Sequence, residues 1–476
     1  MRWRSAVGAG VILASLATVL LMLVPSGGPL HALVTSSAKP SSSAPAPSAK
    51  AAVEPVVAGP VLASPSGTTV PTATGLEAAL QPALAQAPLA GHTSFSVVDV
   101  TTGQVLAKQG ELATEPASTL KLLTAAGALT VLDPQTRLKT RVVSVPGSNQ
   151  IVLVGDGDAT LASTTAAAAA AGSGTARPAS LESLARATAA ALKAAGHRTV
   201  RLSYDASLFS GPTTAPSWPS TYVSSGVVSP VTALSVDAGR TSPGAVTRSL
   251  DPPAAAASAF AQALRREGVH VSGSLTAATA PAGAVPVASV SSPPVGLLVE
   301  RMLTESDDDL AEALAHRTAV GAHQPGTFAG AALATTEAIK GLGLDVTGLH
   351  LVDGSGLSHA DRVPARLLAE VLATAASGKP GDAVLSSLLT GLPVSGWTGT
   401  LSDRFTGDAT ASVAGLVRAK TGTLGSVSAL AGTAVDADGR TLSFALLADS
   451  LPIGTTLEAR AALDEAAAAI AGCGCR

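Results

Sequence analysis

Aromatic side chains are almost missing from this chain: two tyrosines, three tryptophans and six phenylalanines make up 2% of 476 residues. A hydrophobic share of 46% must therefore be carried by Ala, Val and Leu, and no stacking platform for nucleic-acid bases or sugars stands out. Charge is also sparse, at 13% of residues with a net −3, so there is no basic field to attract nucleic acid. Asparagine occurs once, as Asn149, and that scarcity matters below. The two cysteines, Cys473 and Cys475, sit in the last four residues. No disulfide framework and no cysteine-based zinc site can be built around the body of the protein. Inert thiols, a bond between the two, or pairing with another molecule all remain open for that tail.

The chain does have a strong N-terminal signal. Arg2 and Arg4 precede an apolar run from Ala6 to Val24, the pattern of an export segment. The run is long enough to span a membrane, so residues 1–34 read either as an uncleaved anchor or as a cleaved signal peptide. Both place the rest of the chain outside the cytoplasm, in the cell envelope or secreted. Residues 35–74 follow, rich in Ser, Ala, Pro and Thr from Ser36 to Thr74, a composition that cannot bury enough surface to fold and reads as a tether.

Folded texture starts near Gly75. Residues 75–84 look helical despite Pro82, and Thr93–Val100 with Gln104–Lys108 read as a hairpin about a Thr101–Gly103 turn. A helix is expected from Ser118 to Leu132, and a short strand at Ile151–Val154. Between residues 161 and 291 the texture changes to an Ala-rich stretch, short strands, turns and a helix near Ala254–Glu267, which suggests an inserted region. Helices return at Val295–Arg317 and Thr327–Leu342. Three strands follow, at Val417–Thr423, Val427–Val435 and Thr441–Ala448, then a helix from Thr456 to Ile470. An early hairpin and a late meander can share one antiparallel sheet, with residues 75–160 and 292–476 forming an α+β domain around it.

Two short motifs carry chemistry. In Ser118-Thr119-Leu120-Lys121, residues three apart share a helix face, and Ser118 meets the positive end of the helix dipole. A serine hydroxyl needs a base, which a neutral lysine can be. Taken alone the pair is a helix start, and the linker repeats the pattern at Ser36 and Lys39. In Lys420-Thr421-Gly422-Thr423, a strand lysine can hold a carboxylate while Gly422 lets a ligand approach the backbone. The rival reading is a solvated edge lysine.

In this order the motifs resemble those of the penicillin-recognising serine enzymes, whose middle element, Ser-x-Asn, lies between them at a helix start. Glu305-Ser306-Asp307-Asp308-Asp309-Leu310-Ala311-Glu312 occupies that place, with Asp308 where the family has asparagine. It is also a sound acidic helix start. Val228 to Leu234, Asp353-Gly354-Ser355-Gly356-Leu357-Ser358 and Val417 to Thr423 are similar to the low-molecular-mass class C penicillin-binding proteins. These are D-Ala-D-Ala carboxypeptidases with endopeptidase activity that carry an insertion between the first and second motifs.

The resemblance implies a penicillin-recognising transpeptidase/β-lactamase-like fold and a set of roles. Ser118 is the nucleophile, Lys121 its base, and Ser306 relays a proton. Lys420 and Thr421 bind the substrate carboxylate beside Asp308, and the N–H groups of Ser118 and Thr423 form the oxyanion hole. Peptidoglycan stem peptides are the substrate and β-lactams covalent inhibitors. No cofactor or metal is needed. The Asp353–Ser358 turn is taken as structural. Ionised Asp308 accepts hydrogen bonds only and favours a protonated, non-basic Lys121. A scaffold that kept the fold without activity is the alternative reading. A β-lactamase would need an asparagine-bearing deacylation segment, for which only Asn149 exists.

Overall fold

The computed structural model describes residues 69–110 and 112–476. The N-terminal export segment and the linker up to residue 68 lie outside the described residues. Among the described residues no helix is long and apolar enough to cross a membrane. The first elements are helix α1 (Ala73–Leu84), strands β1 (Thr93–Asp99) and β2 (Val105–Gln109), and helix α2 (Lys121–Leu132). Next come β3 (Arg137–Ser144), β4 (Gln150–Val154), α3 (Leu181–Ala194), β5 (Thr199–Asp205), α4 (Pro252–Arg266), β6 (His270–Ala277) and β7 (Val285–Pro294). Four helices then run in series, α5 (Val295–Glu305), α6 (Asp308–Gly321), α7 (Phe328–Gly341) and α8 (Ala365–Ala376). Strands β8 (Val417–Leu424), β9 (Val427–Val435) and β10 (Thr441–Ala448), and helix α9 (Thr456–Ala471), close the chain.

The early hairpin and late meander share one antiparallel sheet, ordered β2-β1-β10-β9-β8. Its residues alternate between two cores, as the two-residue period of a strand requires. Along β10, Leu442, Phe444 and Leu446 face α1 and α9, whereas Ala445 and Leu447 face α2, α5 and α8. With so few aromatics, the layers close on alanine and leucine. Gly432 in β9 lets that strand lie flat against β8, because a Cβ there would sit 2.0 Å from the Arg418 carbonyl oxygen. The β8 strand forms one edge of this sheet, and its Lys-Thr-Gly-Thr run packs beside the turn at Pro116 and Ala117.

A second sheet, ordered β6-β5-β4-β3-β7, has α3 and α4 packed over one face. Its β4–β5 and β5–β6 pairs are parallel, with α3 and α4 as the crossover helices such pairs require. This sheet draws on both sides of position 161: β3 and β4 pair with β7 and β5, so its strands run from Arg137 to Pro294.

Two expected helices differ. The stretch from Val295 to Arg317 breaks at Ser306, a left-handed residue (φ 56°, ψ 40°), because Asp307 caps the second helix by accepting the Leu310 N–H at 2.9 Å. The helix expected from Ser118 begins at Lys121, after a 3₁₀ turn over Ala117–Leu120. At the C-terminus Cys473 pairs with Cys475, and the Cys475 carbonyl accepts the Thr72 N–H at 2.9 Å, joining the two ends of the folded region.

Past the end of β4, Asp158 is only 4% exposed; Thr160 donates to its Oδ1 and nothing donates to its Oδ2. Burial pushes its pKa up to about 6. A raised carboxyl contributes stability below its unfolded value, which is lost as pH climbs through the folded one. Asp158→Asn should therefore remove about 2–3 kcal/mol of stability loss between roughly pH 4 and pH 7. Urea midpoints of both proteins across that range check this, and parallel curves would count against it.

Candidate active site

The 3₁₀ turn brings the first motif together. Side chains at i and i+3 eclipse in such a turn, and the Lys121 amine donates to the Ser118 hydroxyl at 2.9 Å. Lys121 has no exposed surface. Its amine also donates to Asp308 Oδ1 at 2.6 Å and to the Ser355 carbonyl at 2.7 Å. Three acceptors match the three hydrogens of an ammonium group.

The second and third motifs meet on the other side. The left-handed backbone at Ser306 ends α5 and turns its hydroxyl toward β8, where the buried Lys420 amine donates to it at 2.8 Å. Lys420 also donates to the Thr421 carbonyl at 2.7 Å. Burial, and next the positive charge of Lys121, hold the Lys420 pKa well below the usual lysine value, with Asp308 opposing. Gly422 lets β8 pass close to the turn that carries Ser118, since a Cβ there would lie 2.8 Å from the Pro116 carbonyl oxygen. Thr423 is exposed one residue further on. The Thr421 hydroxyl donates to Thr400 at 2.9 Å, a partner with no signal in the sequence.

Behind Lys121 lies a set of buried carboxyls that sequence reasoning did not assign. Glu312 accepts the Ser355 N–H at 2.8 Å and the Gly354 N–H at 3.1 Å. Asp353 accepts from Gly356 at 2.7 Å and Ser358 at 2.8 Å. Burial, with the charge of Asp353 second, raises the Glu312 pKa well above the usual carboxyl value, and Asp361 rises for the same two reasons. The Asp353–Ser358 turn, expected to be structural, thus also presents a carbonyl to the lysine of the first motif. Glu312 had one sequence cue, its place one turn of helix beyond Asp308 on the same face.

The model of the D-Ala-D-Ala carboxypeptidase 3 (S13) family matches residues 76–249 and 241–470. A carboxypeptidase of Mycobacterium tuberculosis is 37% identical over 412 residues, covering 85% of each chain. The carboxypeptidase DacB of Mycolicibacterium smegmatis is 38% identical, again over 85% of each chain. Penicillin-binding protein 4 of Haemophilus influenzae has the same fold, with a TM-score of 0.67 at 20% identity, covering 82% of this chain and 97% of that one.

Gly356 has φ 80°, and a Cβ there would fall 2.0 Å from the Ala117 carbonyl oxygen, next to Ser118. Gly356→Ala should destabilise the protein by about 3 kcal/mol or more. Gly425→Ala, at a site with nothing within 4 Å, should change stability by less than about 0.5 kcal/mol. Thermal unfolding of the two variants compares them directly, and equal effects would contradict the clash.

Proposed function

The chain belongs to the S13 family of D-Ala-D-Ala carboxypeptidases, and on that premise we propose how its own residues perform the reaction. It is a serine-type carboxypeptidase that cuts peptidoglycan stem peptides through an acyl-enzyme and is inhibited by β-lactams. Its place of action is the cell envelope. We assign export, by a signal or an anchor, to the Arg2–Val24 segment.

The observation that carries the reading is the Lys121 amine 2.9 Å from the Ser118 hydroxyl, with Ser306 and Lys420 joined at 2.8 Å alongside. Ser118 attacks the carbonyl between the two D-alanines while neutral Lys121 takes its proton. The tetrahedral oxyanion is held by the N–H groups of Ser118 and Thr423. Ser306 passes a proton to the leaving amine and is reprotonated by the proton that Lys121 took, the C–N bond breaks, and D-alanine departs. Lys121, neutral again, takes a proton from the water that attacks the ester and delivers it to Ser118 as the shortened peptide leaves as a carboxylic acid. Lys420 draws in the terminal carboxylate, and Thr421 exchanges Thr400 for that carboxylate.

Asp308 sets the condition for the first step. A carboxylate 2.6 Å from the amine favours the ammonium, which cannot take the serine proton. An asparagine would keep a hydrogen-bonding side chain and remove the charge.

Fluorescent penicillin should label the protein, and Ser118→Ala should abolish the label. Release of D-alanine from a pentapeptide then separates a carboxypeptidase from a β-lactamase. Asp308→Asn should speed penicillin acylation about tenfold at neutral pH by removing the charge beside the base. An unchanged acylation rate would sink the role given to Asp308.

A further inference from the structure

We propose that the chain between the first and second motifs, through Trp218 and Arg248, positions the base of the active site by fixing both non-reacting acceptors of Lys121. The inference rests on Lys121 being that base.

Lys121 donates to three oxygens, of which only Ser118 Oγ reacts. The other two, Asp308 Oδ1 and the Ser355 carbonyl, decide where the amine sits and how it addresses the serine. Each is anchored by a buried polar contact from the same inserted stretch of chain.

On one side, the shape of the Ser355 turn is set by Asp353, whose Oδ1 accepts the N–H groups of Ser355 and Gly356 at 3.1 and 2.7 Å. Its Oδ2 accepts the Ser358 N–H at 2.8 Å and the indole N–H of Trp218 at 2.7 Å. Trp218 is only 8% exposed, its ring standing edge-on to Phe328 at 5.5 Å. Next to it, the Ser217 and Ser358 hydroxyls are 2.6 Å apart. The indole can only donate, so this contact has one polarity and one geometry.

On the other side, Asp308 opens α6 and its neighbour Asp309 faces the inserted stretch. Asp309 Oδ2 pairs with the Arg248 guanidinium at 2.8 Å, and its Oδ1 accepts the Ser229 N–H at 2.7 Å. The Arg248 side chain is 3% exposed and is itself held by the carbonyls of Ala238 and Gly226. Successive helix positions differ by about 100° around the axis, so pinning Asp309 fixes the direction in which Asp308 points. With Asp307 capping Leu310, the three aspartates have three separate partners, and the helix start has one rotational setting.

The groups facing Lys121 are Asp308 and Glu312 from α6, with Asp353 behind Glu312, and Lys420 from β8. Loosening either anchor leaves these charges in the chain and changes their placement. The readouts are the first-order acylation constant for a penicillin, the noncovalent binding constant and the pH profile, each taken below the unfolding temperature of the variant.

Trp218→Phe keeps the buried ring and removes only the N–H. It should lower maximal acylation about tenfold or more, as a misplaced reacting group does, while binding changes less than about twofold. Arg248→Met should also lower maximal acylation, and Arg248→Lys should restore part of it. Wild-type profiles in both Trp218→Phe and Arg248→Met, or losses that follow the unfolding temperature alone, overturn the proposal. If wild-type protein takes no penicillin on Ser118, the assignment of the site itself fails instead.

Discussion

The amine of Lys121 has no exposed surface, and its hydrogens go to Ser118, Asp308 and Ser355. Those three residues come from the 3₁₀ turn, the start of α6 and a turn after α7, so one nitrogen ties together three separate parts of the chain. A buried charge is tolerated only when it is paired and fully hydrogen-bonded, and breaking one partner leaves the rest uncompensated. The surrounding architecture answers that constraint. Ser306 accepts a strained left-handed backbone so that α6 can begin at Asp307 and present Asp308.

Electrostatics in this centre are collective. Lys121, Lys420, Asp308, Glu312, Asp353 and Asp361 form one set of charges in a low-dielectric interior, and each proton held on one alters the others. The two lysines oppose each other: the charge of Lys121 holds Lys420 down. Asp308 counters that, being attracted to both.

The unusual composition shapes how these groups are reached. Glycines at 356 and 422 let backbone segments pass where a Cβ would collide, which brings the Ser118 turn against β8 and against the Ser355 turn. Three of the few aromatic rings meet at α6 and α7: Phe209 and Phe328 flank the buried His316 at 5.0 and 4.8 Å, and Trp218 joins Phe328. Burial pushes the His316 pKa down to about 4, so it acts as a neutral packing group.

Much of this was legible in the chain itself. Hydrophobic periodicity placed the hairpin, the three late strands and the last helix, because strand and helix periods are local properties. The resemblance of its short motifs to those of the penicillin-recognising serine enzymes named Ser118, Lys121, Ser306 and Lys420, and set Asp308 apart where that family has asparagine. Tertiary structure decided what local pattern cannot encode: the break at Ser306, the pairing of β3 and β4 with the second sheet, and the hold of Thr400 on Thr421. It also decided the partners of Lys121, since Ser355 lies 234 positions away along the chain. A residue's own chemistry is written at its position, but the neighbours that set its charge and direction are assembled only when distant segments pack.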